Sequence, residues 1–207
     1  MTDTTAPRPR KAILLPGNGT PPSVTALDDC AFYTTVQTIL KEHGIPMPLP
    51  AFPDGYVGHE HIWTEFAVKD LGLDETTLVI GHSTGSACAL RLLEKHKVAG
   101  CVLVAAYHTD LGDRMERESG YFSRPWDWDA IKRNAPWILQ FHSVNDPLVP
   151  FEEAEFVAAK IGSQFEVSKD EGHFVEERSK TIEPALRNKL RDIGCTQVPA
   201  TGDSNDE

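Results

Sequence analysis

The chain has 207 residues, 40% of them hydrophobic and 25% charged, with a formal net charge of −11. That is the composition of a soluble globular protein able to bury a real core, and its acidity argues against nucleic acid or an anionic membrane as partner. No apolar run approaches the roughly 18 residues of a membrane span, and the basic N-terminus is not followed by the apolar stretch of a secretory signal.

"KAILLP" (11–16) reads as a short buried strand ending at Pro16-Gly17. A helical stretch then runs to about His43, with Leu27, Val36, Ile39 and Leu40 on one face. Pro46, Pro48 and Pro50 follow at period two. They fit an edge strand whose missing N–H groups face outward, or a plain extended loop. "HEHIWTEFAVKDLG" is helical, "TTLVIGH" is a buried strand and "SACALRLLEKH" a helix. "VAGCVLVAAY" and "WILQFHS" are two further strands, "EEAEFVAAKIG" a helix and "QFEVSK" a last strand. A helix near "KTIEPALRNKLRDIG" closes the series, with Pro184 limiting its unbroken length.

Strands alternating with helices imply a parallel sheet with right-handed crossovers. Central strands without polar alternation imply helices on both faces. The reading is a three-layer α/β domain of about six parallel strands in the order 2-1-3-4-5-6, spanning 11–194. Residues 1–10 and the acidic tail 195–207 are read as disordered. Cys30, Cys88, Cys101 and Cys195 have neither metal-ligand nor disulfide-framework spacing. Free thiols point to a reducing compartment, the cytoplasm. His59 and His61, at i,i+2 on a helix, do not converge on one ion and read as exposed. No metal or organic cofactor is implied.

The chemistry centres on Gly81-His82-Ser83-Thr84-Gly85. Gly-x-Ser-x-Gly between a buried strand and a helix is a nucleophile elbow. Its glycines let strand and helix approach, and the turn lifts Ser83 over unpaired helix N–H groups. The pattern alone arises by chance roughly once in fifteen chains of this size. The acid and base, however, also stand where this architecture requires them. Asp146 follows "WILQFHS" and His173 follows "QFEVSK", in the order Ser, Asp, His and each just past a strand. Ser83 would attack an acyl carbon, His173 would carry the proton, and Asp146 would hold the imidazole. The backbone N–H of Thr84 and that of Asn18, in the Gly-rich loop after the first strand, are the expected oxyanion donors. His82 occupies the elbow's variable position, and His108 and His142 follow strands near the site.

Residues 107–137 join the fourth and fifth strands, where a small lid fits. Its Phe122, Trp126 and Trp128 either line an acyl or leaving-group pocket or pin the segment to the core, with Arg114 and Arg117 in i,i+3 pairs on a charged helix face.

These blocks together resemble the small α/β-hydrolases grouped with retinoblastoma-binding protein nine, a family of compact serine hydrolases. The resemblance rests on "PGNG" (16–19), "FPDG" with "IWTEF", "IGHSTG" (80–85), "DLGDRMERESGYFSRPWDWDAIK" (110–132), "NDPLVP" (145–150) and "GHF" (172–174). It implies the same Ser83, Asp146 and His173 triad and a fold without a large cap. It also implies a second function class, binding of retinoblastoma-type pocket proteins through a Leu-x-Cys-x-Glu segment. Here that stretch is Leu71-Gly72-Leu73-Asp74-Glu75, with Leu73 in the cysteine's place. The expected substrate is a small-molecule or short peptide ester or amide, cleaved by a carboxylesterase- or aminopeptidase-like acyl hydrolase. Acyl transfer to an alcohol or amine stays open.

Overall fold

The computed structural model describes residues 7–20, 27 and 32–198. Most of the first predicted helix before Phe32 lies outside them, as do Cys30, residues 1–6 and the end of the tail. Among the described residues, five parallel strands form one sheet in the order β1-β2-β3-β4-β5. They are β1 (Lys11–Leu15), β2 (Thr77–His82), β3 (Gly100–Val104), β4 (Ile138–Ser143) and β5 (Gln164–Ser168). Every residue of β2, β3 and β4 is buried, whereas the edge strand β5 is largely open. Central apolar runs are what a sheet covered on both faces selects.

The sixth strand expected over the prolines does not join this ladder. Ile45, Met47 and Leu49 turn inward and alternate with the exposed Pro46 and Pro48, so the extended course is real. Ala12 N–H reaches Pro46 O at 2.8 Å, which fixes the side of the segment that faces β1. In a parallel ladder the carbonyl of Ala12 would next take the N–H of residue 48, and Pro48 has none. The missing donors therefore face β1, not solvent, and pairing stops after one bond. The remaining strands keep the relative order expected of them.

Seven helices are defined among the described residues. Strands β2 to β5 step in one direction, so right-handed crossovers put α3 (Thr84–Leu93), α5 (Trp128–Asn134) and α6 (Phe151–Ile161) on one face. There α2 (Glu60–Lys69) packs on α3, which packs on α5, which packs on α6. The chain leaves β1 the other way, to the proline segment on its outer edge. Accordingly α1 (Tyr33–Glu42) packs with α7 (Ile182–Asp192) as the opposite layer. Pro184 sits in the first turn of α7, where its missing N–H is one of the orphans anyway, so the helix runs unbroken to Asp192. Cys195 is buried and Val198 N–H bonds Glu42 O at 2.8 Å, so packing continues past residue 194.

Between β3 and β4, the 107–137 segment carries α4 (Arg114–Ser119) and α5. Buried Arg91 of α3 holds it down. Its guanidinium donates to the carbonyls of Tyr121, Arg124 and Pro125 and lies 3.6 Å over the Trp126 ring. Arg114 pairs with Glu118 at i,i+4, and Arg117 reaches Asp110 outside its helix, instead of the expected i,i+3 pairs.

Candidate active site

Ser83 stands between β2 and α3 with φ 55° and ψ −123°, a strained conformation for a residue with a side chain. The two glycines make it possible. A Cβ on Gly85 would lie 2.0 Å from Leu15 O, and one on Gly81 would lie 2.5 Å from Gly85 O. The elbow therefore presses directly on the end of β1. The loop that follows passes over the serine, with the Cβ position of Gly17 3.9 Å from Ser83 Oγ. Thr84 opens α3. Among the described residues, the backbone N–H groups of Asn18 and Thr84 have no hydrogen-bond partner.

Asp146 and His173 are brought together at 2.8 Å through Asp146 Oδ2 and His173 Nδ1. The carboxylate can only accept, so Nδ1 carries the proton and Nε2 of the neutral ring is left with its lone pair. Asp146 Oδ1 also accepts the backbone N–H groups of Leu148 and Val149 at 2.9 and 3.0 Å. Burial opposes the charge of Asp146, but the His173 bond and these backbone donors win and hold its pKa below the usual carboxylate value. The two loops are stitched by side chains. Glu171 N–H donates to Ser143 Oγ at 3.0 Å, and Gly172 N–H to Asn145 Oδ1 at 2.9 Å. His142 Nε2 donates to Val149 O at 3.1 Å and so supports the Asp146 loop.

His82 does more than fill the variable position of the elbow. Its Nε2 lies 2.9 Å from the His173 carbonyl, which can only accept, so Nε2 is protonated. Burial, with His173 beside it, pushes the His82 pKa down to about 3, so the ring is neutral and Nδ1 is an acceptor. The Tyr33 hydroxyl, 2.8 Å away, donates to it, and Gly17 N–H donates to that hydroxyl at 3.2 Å. One chain of bonds thus links the loop after β1, the elbow and the His173 loop.

Two further residues reach the site that the sequence reading passed over. Tyr107, just beyond β3, is buried with its hydroxyl 3.1 Å from Thr84 Oγ1 and facing Ser83. Glu116 of α4 accepts from Thr84 Oγ1 and from Asn18 Nδ2, both at 2.9 Å.

Phe122 stacks on Tyr107, so it lies one ring from Ser83. Trp126 and Trp128 stack on each other and line a surface cavity of about 700 Å³ with Lys132 and Lys160, without Ser83, Asp146 or His173. Trp126 Nε1 donates to His108 O at 2.9 Å within the segment, and the Arg91 guanidinium over its ring ties it to the core. His108 pairs with Glu153 at 2.7 Å. His59 is half-buried against Asp54 instead of exposed, and the described residues contain no His, Cys, Asp and Glu group fit for a metal. In the Leu71–Glu75 stretch Leu73 is buried, Asp74 accepts from Thr76 and Thr77, and Glu75 is exposed. No helix among the described residues is long and apolar enough to cross a membrane.

The serine hydrolase family profile matches residues 59–190. Serine hydrolase RBBP9 of Rattus norvegicus is 41% identical over 167 residues, which cover 80% of this chain and 88% of the rat protein. Among solved structures, the ydeN gene product of B. subtilis aligns with a TM-score of 0.74 at 20% identity, over 89% of this chain and 98% of that one. The esterase EaEST of Exiguobacterium antarcticum aligns at 0.58 and 17% identity, over 89% and 91%. These structural likenesses speak for the fold, a three-layer α/β-hydrolase arrangement without a large cap.

Proposed function

The chain belongs to the serine hydrolase family, and from that premise we propose that Ser83, Asp146 and His173 are its catalytic triad, acting by acyl transfer on a small ester or amide. The observation that carries the reading is the 2.8 Å Asp146–His173 bond on loops that His82 ties to the strained Ser83 elbow. In this mechanism Ser83 Oγ attacks the acyl carbon and its proton passes to His173 Nε2. Asp146 holds the tautomer and stabilises the imidazolium. The carbonyl oxygen, now negative, is met by the N–H groups of Asn18 and Thr84. His173 returns the proton to the departing alcohol or amine, and water activated by the same ring releases the acid.

The carboxylesterase-like and aminopeptidase-like versions share every one of these steps. They differ only in the basicity of the leaving group that His173 must protonate.

Labelling with a fluorophosphonate probe tests the reading. Wild type labels, Ser83→Ala does not, and Asp146→Ala and His173→Ala label far more slowly. Undiminished labelling of Ser83→Ala would place the nucleophile elsewhere. Screening acyl esters beside aminoacyl amides then separates the two substrate classes.

A further inference from the structure

Glu116 belongs to neither the elbow nor the loops of Asp146 and His173. It comes from α4, across the cleft, and is 8% exposed. Its Oε1 takes two hydrogen bonds, from Asn18 Nδ2 and Thr84 Oγ1, and its buried carboxylate also faces the Tyr107 hydroxyl. Burial pushes the Glu116 pKa up, the sign of a carboxylate held in a place it does not favour. The two residues it grips both carry backbone N–H groups that stand unpaired near Ser83. The Asn18 side chain has one other contact, a 3.5 Å approach to Val57 O, and its loop is bounded by Gly17 and Gly19. Without Glu116, nothing among the described side chains would join the two N–H donors to each other.

We propose that Glu116 is a positioning residue for the oxyanion site, its Oε1 clamping the Asn18 and Thr84 side chains so that both backbone N–H groups converge on the reacting oxygen. The inference rests on the triad reading above. It assigns the 107–137 segment a part in catalysis that does not depend on lining a pocket.

The test compares Glu116→Ala and Glu116→Gln with wild type on a p-nitrophenyl ester, together with the affinity of a boronic acid that forms a tetrahedral adduct at Ser83. Misplaced donors act on the transition state, so Glu116→Ala lowers kcat about ten- to a hundredfold, with KM changed less than about threefold. Boronate affinity falls by the same factor. Glu116→Gln, whose amide oxygen keeps both bonds, stays within about threefold of wild type. A folded Glu116→Ala protein with wild-type kcat overturns the proposal. So does an equal loss in both variants, which would implicate the charge, or a loss confined to KM, which would make Glu116 a substrate contact. Where Glu116→Ala fails to fold, Asn18→Ala and Thr84→Val each remove one of the two Glu116 bonds and leave the backbone N–H; both lower kcat, or the clamp is refuted. Full activity in Ser83→Ala would sink the underlying triad instead, so the two failures are distinguishable.

Discussion

Replacing Gly85 with alanine asks whether the contact between the elbow and the end of β1 builds the site. The new Cβ would lie 2.0 Å from Leu15 O, 2.4 Å from Leu15 C and 2.6 Å from Pro16 O. Carbon and carbonyl oxygen approach to roughly 3.3 Å without a clash, so elbow and strand must part by about 1.3 Å. No side chain can yield, because every atom struck is backbone. Overpacking of this kind costs about 1–3 kcal/mol, or roughly 2–12 °C in Tm for a chain of this size. The functional loss is larger in proportion. Pro16 leads straight into Asn18, and a displacement of about 1 Å between donor and nucleophile is worth roughly a hundredfold in rate. Gly162→Ala is the control. Its φ is positive, at +67°, unlike that of helical Gly85, and nothing lies within 4 Å of its Cβ. It loses roughly 1 kcal/mol for the left-handed backbone and keeps kcat/KM. Thermal melts and ester kinetics on both variants decide the matter. A Gly85→Ala protein within threefold of wild-type kcat/KM would refute the claim that this contact sets the active geometry.

Asp146→Asn is expected to lower kcat by about 10³–10⁴ by favouring the wrong His173 tautomer, with KM little changed. The same variant alters acid stability. The folded pKa of Asp146 is depressed, so its contribution is present above the unfolded value of about 3.9 and is lost as pH falls through the folded one. Asp146→Asn should therefore show less acid-induced loss of stability than wild type below about pH 4, read from urea melts across pH; parallel curves would contradict this. His82→Phe keeps an aromatic ring but removes the bonds to Tyr33 and to the His173 carbonyl, and should lower kcat about tenfold at unchanged KM. An unaltered kcat would show that the His173 loop holds itself. Arg91→Met strands the carbonyls of Tyr121, Arg124 and Pro125, costing about 3 kcal/mol and loosening residues 120–126. Hydrogen exchange should rise there before it rises in β3, and uniform exchange would count against a local anchor.

The five strands were legible because burial on both faces writes itself as continuous apolar runs. The positions of Asp146 and His173 were legible because strand ends are fixed by those runs. The proline segment was misjudged for a reason that sequence does not carry. Period two says that Pro46, Pro48 and Pro50 share one edge, but only the Ala12–Pro46 bond says which edge it is. Glu116 was hidden by its neighbours. In "DRMERES" it reads as one more charge on a solvated helix, and three residues after Asp113 it has the spacing of a capping-box glutamate. Asp113 does cap the helix, accepting from Met115 N and Glu116 N. Its own N–H, however, bonds Asp110 O, which leaves the Glu116 side chain to turn inward. Arg91, in the apolar run "ACALRLL", carried a fairer warning, since a charge there must find partners when the helix is buried on every side.

The reversal of direction at β1 explains why these loops meet at all. The chain leaves β1 for its outer edge, returns to the inner edge as β2, and then steps steadily to β5. Loops after β1 and β2 therefore depart toward opposite helical layers and leave a crevice at their carboxyl ends. The Gly-rich loop comes from β1, Ser83 from β2, Tyr107 from β3, Asp146 from β4 and His173 from β5. All five follow strand ends, and the sheet dictates the spacing of those ends. The insertion after β3 is different, because over residues 107–127 its hydrogen bonds to the rest of the chain run through side chains: Arg91 on its carbonyls, Glu153 on the His108 and Thr109 N–H groups, and Glu116 on Asn18 and Thr84. On the proposed reading, a change in the grip of Glu116 is felt at the Asn18 and Thr84 N–H groups. On that reading, the segment is thus coupled to the chemistry. Substitutions that reshape it should alter kcat as well as KM.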